Sequence, residues 1–188
     1  MNTVIKKILV PVDFTETSET VISKATTLAK LLKADLLLLH VVAYNGGGFS
    51  ILPDVKSDLP TIAEIEKLVS KKMDDMQADI RKKYGITPEV YVSTGNIDSE
   101  VIDFSKNKKI DLIIMGTHGA SGYKEMFIGS NSQRIVTLSE VPVLTMQKDN
   151  GKLGFENILL PIDNSTHSRE KANLATAIAK QFGAKIHI

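Results

Sequence analysis

The 188-residue sequence contains no cysteine. Disulfides, thiolate zinc sites and cysteine nucleophiles are thereby excluded. Net charge is also nearly absent: 23 Lys and Arg against 22 Asp and Glu leave +1 at pH 7. That removes any global electrostatic case for nucleic acid or an anionic membrane as partner. Long apolar runs are missing as well; the longest, such as LLLLHVV at 36–42, are far too short to span a bilayer. The opening residues MNTVIKKILVPVDF lack a charged head, an apolar core and a small-residue cleavage site. No secretory signal is expected, and a cytoplasmic location is the default reading. What remains is ordinary for a folded protein: 43% hydrophobic and 24% charged residues. The length suits one domain plus a remainder, or one large domain.

Residues 6–14 (KKILVPVDF) read as a short buried strand rich in branched side chains. Residues 15–34 carry Val21, Ile22, Ala25, Leu28, Ala29 and Leu32 at helical spacing, with Thr15, Thr17 and Ser18 as candidate caps. A second buried strand follows at 35–42, then a loop at 44–60 punctuated by glycine and proline. Residues 61–85 form a long amphipathic helix that stops at Gly85, and 86–95 a strand. A short helix at 99–108 is expected after an Asp98 cap, then a strand at 110–116, a helix at 130–139 and a last strand at 141–146. The order β-α-β-α-β-α-β-α-β, with strands that do not alternate strictly, predicts a doubly wound, five-stranded parallel sheet covered on both faces. Ligands of such sheets bind beyond the carboxyl ends of the strands.

The sequence also repeats itself. Shifted by 150 positions, ILLPID (158–163) lies on ILVPVD (8–13), Ser168 on Ser18, Ala179-Lys180 on Ala29-Lys30 and Ala184 on Ala34. A gapless match over some 30 residues predicts a duplicated domain. The expected organisation is a first domain at 1–148, a linker at 149–154 and the β-α-β start of a second copy at 155–188. A lone β-α-β piece cannot bury both faces of its sheet, so the chain reads as part of a longer two-domain protein.

The chemistry concentrates after the fourth strand. Gly116, two residues, Gly119, nine residues, then Gly129-Ser130 lead into a helix. Glycine turns can aim backbone N–H groups into a concavity, and the next helix offers its positive end, an arrangement suited to phosphate. Read without further context, the same glycines equally make turns and a helix cap. No Walker A motif is present, and no dinucleotide fingerprint follows the first strand.

This spacing resembles the universal stress protein family. So do PVD at the end of strand one, HVV at the end of strand two, GNIDSEVIDFSKNKKIDLIIMGTHG, and VPVL at the end of the domain. The similarity covers about residues 4–148, and again 155–188. It implies the Rossmann-like fold of the adenine nucleotide α-hydrolase type, and the complete glycine spacing implies the ATP-binding branch. The resemblance places Pro11, Val12 and Asp13 beside the adenosine, and Val41 against the adenine through its backbone. Met115 and Gly116 would line base and ribose. Thr117, His118, Gly119, Ala120, Ser121 and Gly122 would wrap ribose and phosphates, and Gly129, Ser130, Asn131 and Ser132 would hold the phosphates. Family members often carry a basic residue early in the loop; here Lys124 comes late. Magnesium is compatible as a companion of the triphosphate, because it needs few protein ligands there.

Other residues admit plainer readings. Asp13 could cap the first helix instead. His40 and His118 lie on different strand ends without a paired carboxylate or third ligand at metal spacing. The lysine-rich stretches mix with acids or sit at helix C-termini, as solvated helix faces do. No catalytic set is evident, so the leading expectation is a nucleotide-dependent regulatory protein. The alternatives are a slow ATP-hydrolysing, self-phosphorylating or adenylate-transferring enzyme of the same superfamily, and a nucleotide-free interaction module. The Ser-Gly-Gly-x-Asp-Ser loop of the adenylating enzymes is absent after strand one. The apolar, uncharged strand at 141–146 should pair with its counterpart in a homodimer or in a second domain of the same chain.

Overall fold

Ile8, Leu9 and Val10 are completely buried, and neighbouring strand residues face opposite sides. A strand buried on both faces belongs in the middle of a sheet. In the computed structural model, which describes residues 5–43, 61–116, 129–146, 154–163 and 166–188 (side chains from 171 in the last stretch), it is there. Strand β1 (Lys7–Pro11) is followed by α1 (Glu16–Leu32), β2 (Asp35–Ala43), α2 (Ile62–Tyr84), β3 (Glu89–Gly95), α3 (Ile97–Asn107), β4 (Leu112–Gly116), α4 (Ser130–Leu138) and β5 (Val143–Met146). The five strands are parallel in the order β3-β2-β1-β4-β5.

The pleat divides the core in two. Ile8, Val10, Leu36, Leu38, Leu112 and Ile114 face one side, where Val21, Ala25 and Leu28 of α1 and Met73 and Ile80 of α2 cover them. Leu9, Leu37, Leu39, Ile113 and Met115 face the other, under Val101 of α3 and Ile135 of α4. Strand order reverses at β1, between β2 and β4, so the carboxyl ends of β1 and β4 open a crevice there.

Element types agree with expectation and the ends are trimmed. Helix α1 is capped by Thr15, whose hydroxyl accepts from the Ser18 N–H. Helix α2 has a capping box of Thr61 and Glu64 and ends at left-handed Gly85. Helix α3 corrects the sequence reading: Asn96, not Asp98, is its N-cap, and Asp98 lies within the first turn. Both residue types cap well, and sequence offers nothing to choose between them.

Beyond β5, the chain forms β6 (Asn157–Leu159), α5 (Thr166–Phe182) and β7 (Lys185–His187). Their parallel pairs, Asn157↔Lys185, Ile158↔Ile186 and Leu159↔His187, are the pairs Lys7↔Asp35, Ile8↔Leu36 and Leu9↔Leu37 moved by the sequence offset. The turn after each helix matches too. The Ala34 N–H donates to the Ala29 carbonyl and the Ala184 N–H to that of Ala179, each at 2.9 Å. The residue before it is left-handed in both, Lys33 at φ 55° and Gly183 at φ 65°. Helix α5 touches the first unit: Gln181 Nε2 donates to the Leu31 carbonyl at 3.1 Å, and Leu174 and Phe182 pack against the α1 side of the core.

Candidate functional site

A cavity of about 450 Å³ lies at the carboxyl ends of β1, β2 and β4. Pro11, Val12 and Asp13 form one wall, Leu39, His40 and Val41 a second, and Met115 and Gly116 a third. The start of α4, Gly129 to Ser132, closes it, and Ile97, Val101 and Ile135 supply its apolar lining from the helix side. The volume falls within the range of small-molecule sites, as does the mix of apolar wall and few polar groups.

The turn after β1 is tightly tied. Asp13 Oδ1 accepts from the Thr15 N–H at 3.1 Å and from the Thr15 hydroxyl at 2.7 Å, while the Asp13 N–H donates to Ser18 Oγ at 3.3 Å. One carboxylate oxygen of Asp13 thus organises the entry to α1, the plainer of its two sequence readings. Phe14 follows with φ 60°, a conformation that a bulky residue rarely adopts. Its ring has two partners: Lys72 Nζ lies 4.1 Å from its centroid and the His40 ring 4.6 Å away. These contacts offset a strain of about 1–3 kcal/mol.

His40 is more than a strand-end residue. Its Nδ1 donates to the Val12 carbonyl at 2.7 Å, and that acceptor fixes the proton on Nδ1 when the ring is neutral. Burial lowers its pKa from the usual 6.5; Lys72 adds to this, and the Val12 carbonyl and Asp13 oppose it. In the unfolded chain the ring therefore binds a proton at a higher pH than in the folded one. Stability should be complete above pH 6.5 and fall as pH drops below it, because the unfolded state takes up protons first. Thermal midpoints of the parent and His40→Gln, measured from pH 7.5 down to 5, check this. The parent is expected to lose more stability over that interval than the variant; parallel curves would contradict it.

At the other wall, Ser132 is buried and its Oγ donates to the Gly116 carbonyl at 3.0 Å. Its hydroxyl proton pins α4 to the end of β4 and is not directed at a ligand. Gly129, the N-cap of α4, provides no side-chain cap, and no acidic residue sits in the first turn. Among the described residues the N–H groups at the helix start have no side-chain acceptor; they lie at the edge of the cavity and carry the partial positive charge of a helix N-terminus. Of the described cavity-lining side chains only Asp13 and His40 are ionisable, and the positive end of α4 is a contribution of the backbone.

The residues predicted from sequence meet here as far as they are described: Pro11, Val12, Asp13, Val41, Met115, Gly116, Gly129, Ser130, Asn131 and Ser132 all line one cavity. Thr117, His118, Gly119, Ala120, Ser121 and Gly122, with Lys124, lie outside the described residues. Sequence reading missed Ile97, Val101 and Ile135, whose helical spacing marks them only as core. It also missed the ion pair between Arg134 Nε and Asp98 Oδ2, 2.6 Å long, across α3 and α4. Among the described residues no cluster of three or more His, Asp or Glu is placed to hold a metal, and no helix is long and apolar enough to cross a membrane.

Comparison with known proteins agrees with this architecture. The profile of the Universal stress protein family matches residues 5–147. Universal stress protein YxiE of Bacillus subtilis is 30% identical over 147 residues, which cover 75% of this chain and 98% of YxiE. A universal stress protein of Archaeoglobus fulgidus superposes with TM-score 0.72 at 24% identity, covering 96% of this chain and 65% of its own. A second structure from Archaeoglobus fulgidus, a universal stress protein in complex with dAMP, has TM-score 0.56 at 17% identity and covers 76% and 98% of the two chains. With the profile spanning most of the sequence and the 3-2-1-4-5 sheet in place, the chain belongs to the universal stress protein family.

Proposed function

We propose that the cavity binds ATP or a related adenine nucleotide, and that the nucleotide acts as a ligand selecting a conformation or partner in a stress response. The observation that carries this is a juxtaposition. Val41, Met115 and Val101 give the cavity an apolar part that suits a base, and the same cavity is lined by the N-terminus of α4, which no described side chain caps and which suits phosphate. The dAMP complex of the Archaeoglobus fulgidus relative belongs to the same ligand class. Pro11, Val12, Asp13 and Val41 are assigned to the adenosine side, Met115 and Gly116 to base and ribose, and Gly129 to Ser132 to the phosphates. The loop residues Thr117 to Gly122 are assigned to ribose and phosphates from the glycine spacing alone. Asp13 is the one described carboxylate lining the cavity, so a magnesium ion there would rest mainly on the triphosphate. Equilibrium dialysis with labelled ATP tests the reading: saturable binding of one nucleotide per chain is expected, and a folded chain without it refutes the proposal.

The nucleotide is assigned as ligand more than substrate because no base stands beside a nucleophile among the described cavity residues. Hydrolysis, self-phosphorylation or adenylate transfer, if present, should run far below the ~1–1000 per second of ordinary enzymes. A cytoplasmic setting is part of the same proposal. The domain division at 148 and 155 is also proposed, supported by the repeated register of β1-β2 and β6-β7.

Strand β5 is an edge of the sheet, and its Val143, Leu144 and Thr145 are only half-buried. Unpaired edge groups favour coverage by another strand, here the same strand of a second copy or of a second domain. The 188-residue chain is expected to dimerise, and Thr145→Lys to weaken the dimer at least tenfold. Light scattering across concentrations decides: a parent that stays monomeric, or a variant that dimerises unchanged, would refute the interface.

A further inference from the structure

Helix α4 has nine residues, starts at an N-cap without a side-chain bond and has no basic residue in its last turn. Helices this short are marginal without tertiary anchors. Among the described residues three anchors are present: Ile135, fully buried against the sheet; the Ser132 hydroxyl on the Gly116 carbonyl; and the Arg134–Asp98 pair. The third is the unusual one. Asp98 has a side chain only 3% exposed, yet its acceptor Oδ2 meets an arginine that is 61% exposed. A carboxylate that buried needs its partner. It also sits in the first turn of α3, at the positive end of that helix. Its neighbours Ile97 and Val101 line the cavity, as does Ile135 beside Arg134. The pair therefore joins the two helices that frame one side of the cavity, one turn from the N–H groups at the start of α4.

We infer that Arg134 and Asp98 are positioning residues that hold the N-terminus of α4 ready for the phosphates. This rests on the nucleotide reading above and adds which part of the ligand depends on the pair. Neither residue is among the described residues that line the cavity, so a direct contact with the nucleotide is not part of their assigned role. Their effect passes through the geometry of the backbone donors at Ser130 to Ser132. A strained or fraying α4 should weaken phosphate binding more than base binding, because the base is assigned mainly to the ends of β1, β2 and β4, with Val101 of α3 behind it and no residue of α4.

The experiment compares the parent, Arg134→Lys, Asp98→Asn and the double variant Asp98→Asn with Arg134→Met, which leaves no unpaired buried charge. Affinities for ATP and for adenosine are measured by calorimetry, and amide exchange at Gln133, which donates to the Gly129 carbonyl, and at Arg134 and Ile135 in the next helical positions is followed without ligand. In the double variant ATP affinity is expected to fall about tenfold, adenosine affinity to change less than twofold, and exchange at the three amides to speed up at least fivefold. Arg134→Lys should recover part of the ATP-to-adenosine ratio. A pair that merely stabilises the fold would weaken both ligands equally or neither, and an unchanged ratio overturns this inference alone. A parent that binds neither ligand overturns the nucleotide reading, and this inference with it.

Discussion

Replacing Asn131 by aspartate is expected to lower ATP affinity about 100-fold while leaving the protein as stable as before, or slightly more so. Asn131 is exposed in the first turn of α4 and lines the cavity. A carboxylate there is favourable to the free protein, since negative charge at a helix N-terminus contributes about 0.3–1 kcal/mol. To a bound triphosphate it is repulsive. Two unit charges about 5–6 Å apart interact by ~3 kcal/mol at the effective dielectric of a protein surface, which corresponds to about 100-fold in affinity. Stability and binding thus move in opposite directions, which a folding defect cannot imitate. Calorimetry with ATP and a thermal melt of the apo protein supply the two readings. Unchanged ATP binding would show that no phosphate approaches this helix.

The second large effect lies in the core. Ile113 is fully buried in β4, paired with Leu9 on one side and Val143 on the other, and packs on the face that carries α3 and α4. Ile113→Ala should cost about 3–4 kcal/mol, from lost transfer free energy plus the cavity left behind. Leu68→Ala, in contrast, should stay within about 0.5 kcal/mol, because Leu68 is 67% exposed. Urea denaturation followed by circular dichroism measures both. Because Ile113 does not line the cavity, the folded fraction of Ile113→Ala should keep ATP affinity within about threefold of the parent. A loss below 1 kcal/mol would mean that the two-faced burial described for the central strands is wrong.

Much of this was legible in the sequence for physical reasons. Unbroken runs such as DLLLLHVV can be buried on both faces only in a covered parallel sheet, and the glycine punctuation after 115 falls at a strand end. Proximity of Pro11–Asp13, Val41, Met115–Gly116 and the start of α4 followed from the family resemblance and the general placement of sites in such sheets. What was not legible depends on contacts between distant residues. Asp98 and Asn96 cap equally well on paper, and only the packing of α3 on α4 shows that Asp98 is occupied by Arg134. Spacing alone marks Ser132 as a phosphate contact, whereas its hydroxyl donates to the carbonyl of Gly116, a residue 16 positions away. Phe14 at positive φ runs against local preference, and the Lys72 and His40 contacts that hold it come from two other elements. The short strand ends reflect the same limit: Val12 still donates to the Leu39 carbonyl, but the Asp13–Thr15 bonds turn the chain away.

The most direct test of the account is to titrate ATP into isotopically labelled protein and follow backbone amide shifts. The account predicts saturable shifts at Val12, Asp13, Val41, Met115, Gly116 and Ser130 to Ser132, with none at Lys33 to Leu36 at the opposite end of the sheet. An absence of shifts at saturating ATP, or shifts confined to residues away from the carboxyl ends of β1, β2 and β4, would contradict it.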